Sequence, residues 1–242
     1  CCTGYAPETK AASMNLLLTK KVDGIILAGS NFVHDKESEN KYIADAAAQI
    51  PVMLLNADLD IPNVYSVLSD AFSSMYEATV SVFQSGIKDI LYFYNSNSYS
   101  GKHKLAGFLA AMKEQTASEA EAMTQFYHGS HEDVHAMVDC LKNQRDKGLV
   151  FHGVIASDDM LALAAVKYAR EMNYRIPEEF SVLGYNNSML ALCCEPELTS
   201  IDNKLETLCQ HLITTLLGLL EGREMPKKTV FSGEIIRRGT TR

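Results

Sequence analysis

Short apolar runs rich in β-branched residues alternate along the whole chain with roughly ten to twenty residues of helical periodicity, and no other feature constrains the fold as much. The runs at 22–28, 51–55, 88–94, 123–127, 153–156 and 180–185 read as strands. Helical patterns at 37–49, 71–84, 102–114, 132–143, 160–172 and 204–221 lie among them. Gly86 and Gly222 follow two of these helices, where a left-handed cap is needed. Residues 233–238 read as a last strand. Nearly continuous apolar strands alternating with helices predict an α/β fold, with parallel sheets covered by helices on both faces. No Gly/Ser/Pro-rich linker cuts the chain once, so two lobes would require the chain to cross between them several times.

Composition narrows the partners. The formal charge of −8 repels a phosphate backbone, so this stretch is not expected to hold DNA by charge. A neutral small molecule is the expected partner. Six cysteines stand at 1, 2, 140, 193, 194 and 209, in neither a zinc spacing nor a disulfide framework, and are expected as reduced thiols of a cytoplasmic protein. No apolar run approaches the roughly 20 residues that span a bilayer, so no membrane partner is expected. No Gly-rich phosphate loop and no G-x-S-x-G elbow occurs, and no cofactor is expected.

Ligands of open parallel sheets bind outside the carboxyl ends of the strands. The apolar runs are followed there by Gly29-Ser30-Asn31-Phe32, Ser69-Asp70, Asn95-Ser96-Asn97-Ser98-Tyr99, Ser157-Asp158-Asp159 and Asn186-Asn187. Any one of these Ser, Asp or Asn residues could simply cap the next helix. Five such ends together supply amides, hydroxyls, carboxylates and flat rings, the groups that bind a neutral polyol.

Five segments carry a resemblance. Lys20-Lys21-Val22-Asp23-Gly24-Ile25-Ile26-Leu27 is similar to the "(K/R)-V-D-G-I-I-L" signature of the lactose/galactose repressor family. Lys104-Leu105-Ala106-Gly107-Phe108 through Met112 resembles its "R-x-x-G-F-x-x-A-(L/M)" helix, and Ala156-Ser157-Asp158-Asp159-Met160-Leu161-Ala162 its "A-N-D-x-M-A" segment. Gly184-Tyr185-Asn186-Asn187 with Pro196-Glu197-Leu198-Thr199-Ser200-Ile201 resembles "G-(Y/F)-D-(D/N) … P-x-L-T-(T/S)-(I/V)", and Ile235 to Thr240 the family's terminal "L-I-x-R-x-S/T". Each motif is weak; their order and spacing over nearly the whole chain are specific.

The resemblance implies a two-lobe fold of the periplasmic-binding-protein type with three crossovers, near Ser69, Asn203 and Val230. One lobe would hold 1–68 and 204–229, the other 69–203 and 230–242. It implies a small effector, best read as a sugar, in the cleft between the lobes, and an effector-dependent lobe geometry. It further implies a homodimer and operator DNA held only through a helix-turn-helix head outside this chain. Residues 1–5 resemble the end of the family's second strand, so a first strand and helix would precede them. The residues expected to line the cleft are Asn31, Phe32, Asp70, Phe72, Asn97, Tyr99, Lys104, Ser157, Asp158, Asn186 and Asn203. Asp158 and Asn186 would hold hydroxyls, and Phe32, Phe72 or Tyr99 would supply a stacking face. Lys104, Asn186 and Asn203 stand where the family has arginine, aspartate and glutamine. An ammonium cannot reproduce the planar guanidinium fork.

Two other readings compete with a transcriptional sensor. An exported sugar-binding protein feeding a transporter shares the fold; the adjacent cysteine pairs and the I-I-x-R ending weigh against it. A zinc hydrolase could be built on His131-Glu132-Asp133-Val134-His135, which matches HExxH letter for letter, with His128 or Asp139 completing the site. Gly129-Ser130 before it reads as a turn and helix cap, so a polar surface helix is preferred, with no metal and no enzyme activity expected.

Overall fold

The structure is a computed structural model describing residues 6–115 and 123–242; residues 1–5, which resemble a strand end, lie outside the described residues. In chain order the elements are α1 (Pro7–Thr19), β1 (Ile25–Ala28), a 3-10 turn (Glu37–Asn40), α2 (Lys41–Ala47), β2 (Val52–Leu55), β3 (Val64–Ser69), α3 (Ala71–Gln84), β4 (Ile90–Tyr94) and α4 (Tyr99–Gln115). Then follow β5 (Thr124–Phe126), α5 (Val134–Asp146), β6 (Gly153–Ala156), α6 (Asp159–Glu171), β7 (Ser181–Tyr185), α7 (Met189–Cys193), β8 (Thr199–Asp202), α8 (Leu205–Leu220), β9 (Lys228–Phe231) and β10 (Glu234–Ile236). The chain forms two compact units. The first takes in the chain up to Ser69, Ser98–Ser100 and Lys204–Phe231; the second takes Asp70–Asn97, Gly101–Asn203 and Ser232–Arg242.

The first unit has a four-stranded parallel sheet in the order β1-β2-β3-β9. β2 is buried at every position because it is central and covered on both faces, which is why it reads as an unbroken apolar run. On one face Met14, Ile43 and Ala46 pack with Ile25, Leu27, Val52 and Leu54; on the other Leu208 and Leu212 of α8 meet Met53, Leu55 and Val67.

The second unit has a six-stranded sheet in the order β10-β8-β7-β6-β4-β5. Five strands are parallel, and the edge strand β10 runs antiparallel to β8. β6 and β7 are buried throughout. α5 and α6 cover one face through Met137, Leu141, Leu161, Ala165 and Tyr168; α3 and α4 cover the other through Met75, Ala78, Phe108 and Met112.

Several expectations need correction. The helix expected over 37–49 is a 3-10 turn followed by α2. The helix expected from Glu132 begins at Val134, because Asp133 rather than Ser130 is its cap and accepts from the Ala136 N–H at 2.9 Å. β8 and β9 are strands that the apolar-run reading does not separate from their surroundings, since Thr, Ser, Lys and Asp interrupt them. The last strand is shorter than 233–238 and antiparallel, so the second sheet is mixed. Among the described residues no helix is long and apolar enough to cross a membrane, and Cys140, Cys193, Cys194 and Cys209 are thiols.

Candidate functional site

Parallel register brings the carboxyl ends of β8, β7, β6, β4 and β5 to one edge of the second sheet. The residues that leave these strands are Asn203, Asn186, Ser157 with Asp158, Asn95, and the turn reaching His131. Asp158 caps α6, its Oδ1 accepting from the Leu161 N–H at 2.9 Å. Its Oδ2 accepts from Asn95 Nδ2 and from His131 Nε2, each at 3.2 Å. Burial pushes the Asp158 carboxyl up. The His131 and Leu161 hydrogen bonds and the charges of His131 and Lys104 outweigh that and hold it below its ordinary range. Asp158 is thus a helix cap, and its second oxygen takes two side-chain donors at the rim.

Lys104 rises from α4 beneath this edge, almost wholly buried. Its Nζ donates to the Ser157 carbonyl at 2.8 Å and lies 3.6 Å from the centre of the Tyr185 ring. Burial lowers its pKa to about 8, against the opposing pull of Asp158 and Asp159. Ser157 Oγ faces Asn95 Oδ1 at 3.5 Å.

Asn186 and Asn187 both have positive φ, 98° and 48°, a backbone that Asn tolerates better than most residues. Buried Asp159 holds this turn: it accepts from the Ser188 N–H at 2.7 Å and from Ser200 Oγ at 2.6 Å. Ser200 Oγ in turn accepts from the Asn187 N–H at 3.0 Å, and Arg238 donates to Asn187 Oδ1 at 2.7 Å. Asp159 reaches the turn only because Gly184 has no side chain; a Cβ there would lie 2.3 Å from Asp159 Oδ1. The Asn186 amide is thereby aimed at Asn203, whose Nδ2 donates to Asn186 Oδ1 at 3.0 Å. Asn203 Oδ1 is buried with no partner.

In the first unit the turn after β1 is tied down through successive carbonyls. The Tyr99 N–H donates to Ser30 O at 3.1 Å, Lys10 Nζ to Asn31 O, and Tyr42 Oη to Phe32 O. Asn40 pairs with both the N–H and the C=O of His34 at 2.8 Å. Lys10 is buried, and burial lowers its pKa. Phe32 and Tyr99 pack against the same apolar cluster. Ser30 and Ser98 join through their hydroxyls at 2.9 Å.

Of the eleven residues picked from sequence, Lys104, Ser157 and Asp158 come together, Asn186 and Asn203 form a second contact, and Asn31, Phe32 and Tyr99 share the first unit's turn. Asp70 caps α3 through the Ser73 N–H at 2.9 Å. Phe72 sits in the first turn of that helix, partly exposed and stacked on Tyr76 at 6.5 Å. Asn97 is exposed. The sequence reading missed Asn95, His131, Tyr185 and Lys10. Asn95 was visible as the first polar residue after its strand, Tyr185 stood in the Gly184-Tyr185 motif and His131 in the HExxH spacing; Lys10 gave no local signal.

His131 and His135 do not form the zinc pair their spacing suggests. His131 lies in the turn before α5 and points to Asp158, whereas His135 is inside α5 and bears on Glu171. Among the described residues no three metal-ligating side chains gather.

The profile of the periplasmic binding protein-like domain matches residues 82–241. An HTH-type transcriptional regulator of Lachnoclostridium phytofermentans is 41% identical over 241 residues, covering 100% of this chain and 72% of that protein. A sugar-binding transcriptional regulator of the LacI family from Escherichia coli, solved with phosphate, is 25% identical with a TM-score of 0.82, over 98% of this chain and 83% of that one. The fold is also that of the regulator CelR in its cellobiose complex, 22% identical, TM-score 0.81, over 97% of this chain and 71% of that one. With its two α/β units, five ordered motifs and these relatives, the chain belongs to the periplasmic binding protein-like domain family, as the effector-binding sensor domain of a transcriptional regulator of the lactose/galactose repressor type.

Proposed function

We propose that the effector is a small neutral polyol, best read as a sugar, gripped at the carboxyl-end rim of the second sheet. Asp158 and Asn95 accept and donate at one side of the rim, the Asn186–Asn203 amide pair at the other, and Lys104 supplies a donor beneath. The observation that carries the reading is the buried, unpartnered Asn203 Oδ1 beside Asn186. A buried acceptor without a donor costs about 1–3 kcal/mol, which a ligand hydroxyl recovers on binding. The two compact units serve as the two lobes of the effector domain.

Such a site binds without chemistry. Asp158 caps α6 and accepts at the rim, while Asp159 is buried and taken up by the Ser188 N–H and the Ser200 hydroxyl. The effector changes the affinity of a cytoplasmic, homodimeric regulator for operator DNA, which a helix-turn-helix head outside the acidic sensor domain would contact. Linkage requires that an effector lowering operator affinity bind the DNA-free protein more tightly, by about 1–3 kcal/mol of coupling. The test is a thermal-shift and calorimetric screen of mono- and disaccharides, followed by Asp158→Ala and Asn203→Ala. A sugar should raise the melting temperature of the wild type and lose at least tenfold in affinity with either variant. A hit whose affinity both variants leave unchanged would place the effector elsewhere.

A further inference from the structure

We propose that His131 is a proton-sensitive gate on the effector-binding carboxylate: its imidazole occupies Oδ2 of Asp158, and an effector hydroxyl that takes this oxygen must displace it. The proposal rests on the polyol reading and adds a residue and a linkage to it. Asp158 Oδ1 accepts from the Leu161 N–H as the cap of α6, and Oδ2 already accepts two donors, Asn95 Nδ2 and His131 Nε2. Each carboxylate oxygen offers about two lone-pair positions, so Oδ2 has no vacancy for a third donor. Of the two occupants, Asn95 leaves the end of β4 and is partly buried. The His131 side chain is 55% exposed while Asp158 is only 16% exposed. The imidazole is therefore the solvent-side occupant.

Hydrogen bonds that do not involve the imidazole hold the turn that carries it. Tyr127 Oη donates to the Ser130 carbonyl at 3.2 Å, and the Glu132 N–H donates to Ser130 Oγ at 3.2 Å. Gly129 is required there, since a Cβ would stand 2.3 Å from Tyr127 Oη. His131 can thus swing about its own side-chain bonds without moving the turn.

The charged groups bearing on the imidazole are Asp158, at the start of α6, and Glu132, beside it on the same turn; both favour its protonated form. Lys104 acts from α4 on Asp158. The hydrogen bond to Asp158 holds the His131 pKa above its ordinary 6.5, against a smaller opposing effect of burial. When an effector takes Oδ2, that support is lost and the imidazole sheds its proton. Binding then releases up to one proton, and effector affinity rises with pH across the interval between the two His131 pKa values. The gain is at most about tenfold per pH unit.

The experiment has a ligand-free and a ligand arm. In the first, the His131 imidazole is titrated by NMR in the wild type and in Asp158→Asn. The expected result is a pKa above 6.5 that falls in the variant; an ordinary value unmoved by Asp158→Asn overturns the gate whatever the ligand. In the second, cellobiose, D-glucose and D-ribose are titrated calorimetrically into wild type, His131→Gln and His131→Ala at pH 5.5 and 7.5. The gate requires wild-type affinity for the binding sugar to fall several-fold at pH 5.5. Both variants should lose this dependence, and His131→Ala should bind more tightly than wild type at pH 5.5. Equal wild-type affinity at the two pH values, or a dependence that survives in both variants, overturns it. A raised His131 pKa with no binding of any of the three sugars to any form tells against the polyol reading, and the gate falls with it.

Discussion

Replacing Lys104 by methionine should make the protein more stable at neutral pH while weakening effector binding. The ammonium is almost wholly buried, and its pKa falls from 10.5 to about 8. A drop of that size corresponds to about 3 kcal/mol by which the folded state disfavours the charged form at pH 7. It is a ceiling, because the Ser157 carbonyl and the Tyr185 ring both favour the ammonium. Methionine is unbranched, only one atom shorter and needs no hydration, but it leaves the Ser157 carbonyl without this donor, a loss of about 1 kcal/mol. The net expectation is a gain of about 1–2 kcal/mol at pH 7.

The sign with pH is specific. Below about pH 8 both folded and unfolded chains carry the Lys104 proton, so the penalty is constant and full. Between about 8 and 10.5 the folded chain loses the proton first, and wild-type stability rises by about 1.4 kcal/mol per pH unit relative to the variant. The chain has no tryptophan, so urea unfolding is followed by far-ultraviolet circular dichroism at pH 7.0 and 9.5. The advantage of Lys104→Met should shrink by about 2 kcal/mol at the higher pH. An unchanged gap, or a variant less stable than wild type at pH 7, would show that the ammonium is not held at a cost, and the reasoning would fail.

Gly184→Ala should destabilise by about 1–3 kcal/mol in urea, since its Cβ would meet Asp159 Oδ1 at 2.3 Å and Leu198 Cδ2 at 2.9 Å. Gly107→Ala should cost at least as much by the same assay, because there the obstacle at 2.3 Å is the backbone carbonyl of Phe72, which no rotamer change removes. Asp133→Ala removes the α5 cap and should cost about 1 kcal/mol. His131→Gln should lower stability at pH 5.5 by less than about 1 kcal/mol, the ring being largely exposed. That difference should vanish as pH rises through the raised His131 pKa, because a group with a raised folded pKa stabilises only while protonated.

The fold was legible because its signals are local. β2, β6 and β7 are buried on both faces and therefore read as unbroken apolar runs. Caps such as Asp70 and Asp158 stand directly before the helices whose N–H groups they take. Where the period is broken the reading failed: β9 carries Lys228 and Thr229 because it is an edge strand with exposed positions, and α1 hides Lys10, a residue type that is rarely buried.

The rim was legible only as far as strand order allows. Reading past each carboxyl end finds Ser157, Asp158 and Asn186, since every parallel strand must deliver its next residues to the same edge. It cannot tell which of them touch. Asp158 and His131 are 27 residues apart in sequence, and Lys104 and Ser157 are 53 apart; only the neighbouring of β4 with both β5 and β6 brings them together. His131 was also masked by a stronger pattern. The HExxH spacing predicts a function only if both histidines ride one helical turn, and that condition depends on where the cap falls. Moving the cap from Ser130 to Asp133 takes His131 out of the helix and leaves its ring free to reach across to α6. One three-residue shift in a helix start thus separates the two histidines of the spacing and sets one of them beside the carboxylate that caps α6.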